Sequence, residues 1–122
     1  MIKKTIAEKI RGMGCVVVKE PTSTVFVMLK AGANEGASGE NAIAVTAHKA
    51  DIIIGSVAIL AANSMLGELT PGMARAIAES GAKKILIPLN RCNLYVAGVQ
   101  NVPLPHYIEN AIDMIKNFMG GN

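Results

Sequence analysis

Two uninterrupted aliphatic runs constrain the fold of this chain more than any other feature of its sequence. One runs from Asp51 to Gly55 through three isoleucines, and the other runs from Lys84 to Pro88 through Ile-Leu-Ile. Such runs, without polar alternation, are typical of strands in a parallel sheet that helices cover on both faces. We therefore predict two buried strands, and a third, shorter one over the β-branched run Cys15–Val18.

Apolar residues recur at helical spacing between these runs, with capping residues, prolines and glycines at the ends of the segments. Thr70-Pro71 is a typical helix start, followed by the apolar stripe Met73, Ala74, Ile77 and Ala78, and Gly81 marks the end. Two further helices are predicted before the first long strand run, from Ile2 to Met13 and from Thr22 or Ser23 to Gly32, and a third runs from a cap at Ser38 to about His48. Another is predicted from Val57 to Leu66, with Ser56 as its cap. The last begins beyond Pro105 and has the apolar stripe Ile108, Ala111, Ile112, Ile115 and Met119. We assign Ala33–Asn41 to a glycine-rich loop and Leu94–Val99 to a weak strand.

Strands that alternate with helices predict right-handed crossovers and a mostly parallel sheet. We expect one domain over residues 1–122, with a three-layer, Rossmann-like α/β fold. Doubly wound folds begin with a central strand and a phosphate-binding turn, whereas this sequence begins with a helical pattern. The first strand is therefore expected to be missing.

Composition argues against several classes of protein. The net charge is +3, but the few aromatic residues do not alternate with Lys or Arg, so we expect no nucleic-acid partner. Cys15 and Cys92 stand alone, which disfavours disulfide and metal sites. The start of the chain lacks the pattern of a signal peptide, and the apolar stretch Ile52–Leu66 is too short to span a membrane. We expect a cytoplasmic protein without a membrane partner.

The candidate ligand site lies where the strands end, because ligands of open parallel sheets bind beyond the carboxyl ends of the strands. Gly55-Ser56 follows one strand, and the tetrapeptide Asn90-Arg91-Cys92-Asn93 follows the next. Asparagine amides can donate and accept hydrogen bonds, and the planar guanidinium of Arg91 suits a carboxylate or phosphate. Glu40 and Asn41, beside the glycine-rich loop, could join the site.

Each of these residues also has a purely structural interpretation. Ser56 could only cap a helix, and Glu40 could only be an acidic residue favoured by the dipole of a first helical turn. Arg91 could pair with Glu40 or Glu68, and Cys92 could be a small buried hydrophobe. Because no base is identifiable beside Cys92 or Ser56, whether the protein is an enzyme stays open.

Four motifs together resemble a small bacterial family known only as domain of unknown function 3842. They lie at Met28–Asn34, Gly39–Ala42, Asn63–Pro71 and Pro88–Asn93, and the resemblance extends from about Lys4 to about His106. The resemblance implies a Rossmann-like fold. Members of the family begin with an aliphatic strand, an acidic residue and a glycine-rich turn. The present sequence begins with what should follow that turn, so the family's suspected phosphate-binding residues have no counterparts here.

Three hypotheses of function follow. The first is a protein that binds a small anionic metabolite or a nucleotide at the strand ends, with its cofactor unknown and a nucleotide or dinucleotide possible. The second is a non-catalytic homo-oligomeric interaction module, because an exposed strand edge can form hydrogen bonds with a strand of another chain. The third is a small transferase or oxidoreductase. We also expect the chain to form a homo-oligomer.

Overall fold

A computed structural model describes residues 16–18, 28–89 and 93–120. Its strands are β1 (Val16–Val18), β2 (Glu35–Ala37), β3 (Ile52–Ser56) and β4 (Lys83–Ile87). Its longer helices are α1 (Glu40–Lys49), α2 (Pro71–Glu79) and α3 (Leu104–Met119). A 3-10 helix, Val57–Leu60, follows β3, and residues 28–31 are also helical. The predicted first helix and the Thr22 or Ser23 cap lie outside the described residues.

The strands form two parallel pairs. β1 pairs with β2 from Val16 opposite Glu35 to Val18 opposite Ala37, while β3 pairs with β4 from Ile52 opposite Lys83 to Ser56 opposite Ile87. The chain is thus a mixed α/β protein with parallel strand pairing, as predicted. Strand β2 lies within the segment that we assigned to a loop. All three of its residues are exposed, so no apolar pattern marks it, and the pairing is made by the backbone.

The largest described core cluster forms where α3 packs on one face of β3 and β4. Ile85 and Ile87 of β4 contact four buried residues of the helix, namely Ile108, Ala111, Ile112 and Ile115. Ile52 and Ile54 of β3 extend this contact surface. The opposite face of β3 meets the 3-10 helix, where the side chain of Ile59 lies close to Gly55. This pair of strands therefore has helical residues on both sides.

Helices α1 and α2 lie side by side in the same direction and are joined at both ends. At their starts, the Thr70 hydroxyl donates to the Glu40 carboxylate over 2.8 Å. At their ends, the buried hydroxyl of Ser80 donates to the Ala47 carbonyl over 2.5 Å and accepts from the Ala82 amide. A buried hydroxyl group is costly without hydrogen-bond partners. The bond from Ser80 to the Ala47 carbonyl therefore holds the ends of the two helices together.

The predicted helix from Val57 to Leu66 is wrong. Only Val57–Leu60 is helical, with 3-10 geometry, and turns follow as far as Glu68. Asn63, Met65 and Leu66 have φ values of 65°, 56° and 57°, which no right-handed helix contains. In place of a helix, the chain folds back on itself: the Asn63 amide donates to the Leu69 carbonyl, and Met65 packs against the cluster of Leu69, Met73 and Ala74.

Two smaller predictions also need correction. Residues Leu94–Val99 are irregular and form no strand in the part of the chain described here. The cap of α1 is Gly39 rather than Ser38, and its φ of 105° lies in a region that favours glycine. The predicted start of α2 is confirmed, since Thr70 accepts from the Met73 amide over 3.1 Å and Pro71 is the first helical residue. The predicted buried positions of α3 are confirmed except Met119, which is exposed.

Candidate functional site

The carboxyl ends of β3 and β4 lie next to each other. Ser56 and Ile87 are the last residues of the two strands and are direct partners in the parallel ladder. Pro88 and Leu89 continue from β4 at the same edge, and both are half-buried. The register therefore brings Ser56 beside the start of the segment that carries the predicted tetrapeptide.

The tetrapeptide itself is described only at its last residue. Asn90, Arg91 and Cys92 lie outside the described residues. Asn93 is exposed and has a φ of 58°, a left-handed conformation in which asparagine is several-fold enriched. The backbone at Asn93 is thus in a turn, as expected for a loop that follows a strand.

Ser56 acts as a cap, which supports its structural interpretation. Its hydroxyl oxygen accepts from the Ala58 amide over 3.2 Å at the start of the 3-10 helix. That helix has four residues, so it lacks the aligned peptide dipoles that attract anions to longer helices. The hydroxyl proton of Ser56 is not used by this bond and can still be donated to a ligand.

Gly55 has a packing role. A Cβ atom at this position would lie 3.0 Å from Cδ1 and 3.1 Å from Cγ2 of Ile59. Such distances are shorter than ordinary carbon–carbon contacts of about 3.5 to 4.0 Å. Glycine here lets the 3-10 helix approach the strand, so the close turn after β3 depends on it.

Glu40 contacts the start of α2. Its carboxylate accepts from the Thr70 hydroxyl, and a side chain at Gly72 would collide with the same carboxylate oxygen. The negative charge therefore lies at a helix N-terminus, where the helix dipole stabilises it. Asn41 is exposed in the first turn of α1. Glu40 thus has a structural partner thirty residues along the chain, and no sequence pattern predicted it.

A cavity of about 200 Å³, which no sequence motif predicted, lies between β4 and α3. Its walls include Leu86, Ile87, Pro88, Val99, Gln100, Tyr107, Ala111 and Met114. At its rim the Tyr107 hydroxyl donates to the Gln100 carbonyl, which ties the irregular segment before α3 to that helix. A signal was present in the sequence, because α3 has apolar residues at more positions than one buried stripe needs.

Other kinds of site find little support in the described parts of the chain. There, no three His, Cys, Asp or Glu side chains converge as the ligands of a metal ion would. No helix within the described ranges has the length and apolar character needed to cross a bilayer.

A family model described as "Domain of unknown function (DUF3842)" matches residues 2–120 of the chain. No curated protein and no solved structure matches it.

Proposed function

We propose that this chain, which belongs to the family described as "Domain of unknown function (DUF3842)", binds a small anionic metabolite or nucleotide at the carboxyl ends of β3 and β4. The observation that carries the proposal is the register of these strands. Because Ser56 and Ile87 are partners, the residues that follow the two strands share one edge. This is the edge at which open parallel sheets bind their ligands.

The proposal includes the finer assignment of the fold as a three-layer, Rossmann-like domain. In the doubly wound order 3-2-1-4-5, strands 2 and 3 are neighbours, as are strands 4 and 5. The two observed parallel pairs fit these places if β1 and β2 are strands 2 and 3 and if β3 and β4 are strands 4 and 5. The central strand of that order is not among the residues that the structure describes.

The chemistry of the edge favours an anion. Arg91 supplies a permanent positive charge with donors in a plane, which suits a carboxylate or a phosphate. Ser56 retains a hydroxyl proton, and Asn90 and Asn93 add amide donors. We assign Arg91 the leading role, because a charge-assisted hydrogen bond is about twice as strong as a neutral one. Glu40 contributes to the start of α2 and is left out of the ligand contacts.

A thermal-shift screen over nucleotides and phosphorylated metabolites tests this function. A ligand present at about 100 times its Kd should stabilise the folded chain by about 2.7 kcal/mol. The variant Arg91→Ala should lose most of this stabilisation. Arg75→Ala is the matched control, since Arg75 is an exposed residue of α2 that donates to Glu79 over 2.8 Å. Both variants remove one arginine charge.

Three results would count against the proposal. One is the absence of stabilisation by any nucleotide or phosphorylated metabolite in the screen. Another is equal stabilisation of wild type and Arg91→Ala, which would show that the ligand does not contact Arg91 at this edge. Equal losses in Arg91→Ala and Arg75→Ala would show a response to net charge alone and would also count against the assigned site.

A further inference from the structure

The cavity between β4 and α3 follows one edge of the sheet. Four consecutive residues, from Ile85 to Pro88, contribute to its wall. Successive side chains of a strand point to opposite faces, so a wall that includes all four must run along the edge of the strand. The other edge of β4 is paired with β3, and the described lining includes no residue of β3. The cavity therefore borders the edge of β4 that faces away from β3.

The remaining walls are apolar and include one aromatic ring. Val99, Ala111 and Met114 close the sides, and Tyr107 contributes its ring. The Tyr107 hydroxyl donates to the Gln100 carbonyl, which holds the ring in one orientation. A fixed aromatic ring is the kind of surface on which the bases of nucleic acids stack.

Polar groups lie at the mouth of the cavity and along the strand. The side-chain amides of Gln100 and Asn110 belong to the lining, and both residues are exposed. An amide combines a donor and an acceptor, the combination by which Asn and Gln bind the edge of adenine. A strand edge also presents backbone N–H and C=O groups. These groups favour a ring that can donate and accept over a plain hydrocarbon chain.

The volume limits what the cavity can hold. At about 200 Å³ it is smaller than the roughly 300 to 1,000 Å³ of pockets that enclose a whole drug-sized ligand. It is larger than the cavity of about 150 Å³ that encloses benzene in another protein. One ring system of the size of a nucleobase therefore fits, and the rest of its ligand has to lie outside.

The cavity is continuous with the edge at which we place the anion. Ile87 lines the cavity and is the ladder partner of Ser56, and Pro88 extends the wall past the end of β4. Neighbouring strands lie about 4.8 Å apart, so roughly two strand spacings separate Ser56 from the cavity. The ribose phosphate of a nucleotide can bridge this gap.

We propose that the cavity holds the base of a mononucleotide whose phosphate lies at the carboxyl ends of β3 and β4. The inference rests on the proposed function and narrows its ligand from small anions in general to nucleotides. The edge provides the contacts with the phosphate, and the cavity distinguishes a nucleotide from a sugar phosphate. The cavity has no room for a second base, so a dinucleotide gains nothing further from it.

Calorimetric titration with matched ligands tests the role of the base. The ribonucleoside 5′-monophosphates of adenine, guanine, cytosine and uracil are compared with ribose 5-phosphate, which lacks the base. At least one nucleotide should bind at least about tenfold more tightly than ribose 5-phosphate, because burial of the base removes apolar surface from water.

The titrations separate failure of the inference from failure of the proposed function. Equal affinities for ribose 5-phosphate and the nucleotides overturn the inference and leave an anion site standing. If no nucleotide binds, the inference is also overturned, whereas stabilisation by other phosphorylated metabolites in the thermal-shift screen would still support the proposed function.

A matched pair of substitutions locates the base. Val99→Trp fills the cavity from its wall and should remove most of the preference for a nucleotide over ribose 5-phosphate. Val96→Trp is the control, because Val96 belongs to the same irregular segment, is 45% exposed against 40% for Val99, and is not among the described lining residues. Thermal melts check that both variants fold. An unchanged preference in Val99→Trp, or equal losses in the two variants, overturns the inference.

Methyl NMR of the wild-type chain gives a readout that needs no substitution. Met114 lines the cavity, whereas Met119, on the same helix, is not among the described lining residues. The ring current of a bound base should shift the Met114 methyl resonance and leave that of Met119 in place. Ribose 5-phosphate has no ring current and should shift neither. A Met114 shift of equal size with both ligands, or no shift with a bound nucleotide, overturns the inference.

Discussion

Two consecutive segments with similar apolar sequences have different structures. Most residues of Val57–Leu69 are Ala, Ile, Leu or Met, and most residues of α2 are Ala, Ile or Met, yet only the second segment forms a regular α-helix. The first has one 3-10 turn and then a left-handed loop. The comparison shows that helix-forming residues alone do not decide the conformation of a segment.

A side-chain hydroxyl has a different role in each of the two segments. In the first segment, Ser64 is buried and donates to the Ala58 carbonyl over 2.9 Å, which holds the loop against the 3-10 helix. The loop is closed by backbone bonds from Asn63 to the Leu69 carbonyl and from Leu69 to the Ser64 carbonyl. In the second segment, the hydroxyl of Thr70 accepts from the third residue of the helix and so starts it.

The largest effect is expected from Ser64→Ala. This change removes the hydroxyl donor to the Ala58 carbonyl, which keeps its bond from the Ala61 amide, so the cost is that of one buried hydrogen bond, about 1.5 kcal/mol. Urea denaturation should show that loss as a lower midpoint with an unchanged slope. Far-UV circular dichroism should show no gain in helix, because the backbone bonds between Asn63 and Leu69 remain. A gain in helix would mean that the hydroxyl alone prevents Val57–Leu66 from becoming helical.

A smaller effect is expected from Thr70→Ala at the start of α2. Loss of a helix cap costs about 0.5 to 2 kcal/mol. Thr70→Ser keeps the oxygen and should retain most of the stability, which makes it the matched control. Glu40→Ala removes only the exposed partner carboxylate, so its effect in the same denaturation experiment should be smaller. A larger loss in Glu40→Ala than in Thr70→Ala would contradict the capping role.

The same comparison explains which parts of the fold were predictable. Strands β3 and β4 and helices α2 and α3 have apolar patterns and end signals that agree with one another, so their local sequence is sufficient. Strand β2 has exposed residues throughout, and its partner is a distant strand, so nothing local identifies it. The loop after the 3-10 helix is held by the buried bond from the Ser64 hydroxyl to the Ala58 carbonyl, and no local pattern identifies that partner.

The candidate site divides in the same way. That Ser56 would lie beside the residues following β4 was predictable, because parallel strands end at a common edge. The contact of Glu40 with Thr70 was not, since it joins two helix starts that are thirty residues apart. The cavity beside α3 was also missed, because its walls come from a strand, an irregular segment and a helix.

The smallest effect is expected from Gly67→Ala, in the left-handed loop. Gly67 has a φ of 85°, a left-handed conformation that disfavours alanine. A Cβ atom at this position would meet no atom within 4 Å, so the backbone conformation is the only source of strain. The expected destabilisation is about 1 kcal/mol, since left-handed backbone costs about 1 to 2 kcal/mol for an L-residue and alanine restricts the unfolded chain. Gly81→Ala is the matched control, because Gly81 also has open space around it and lacks a positive φ. It should be neutral or slightly stabilising. Equal midpoints for the two variants in urea would mean that the left-handed turn relaxes, and that the burial of Leu69 does not depend on it.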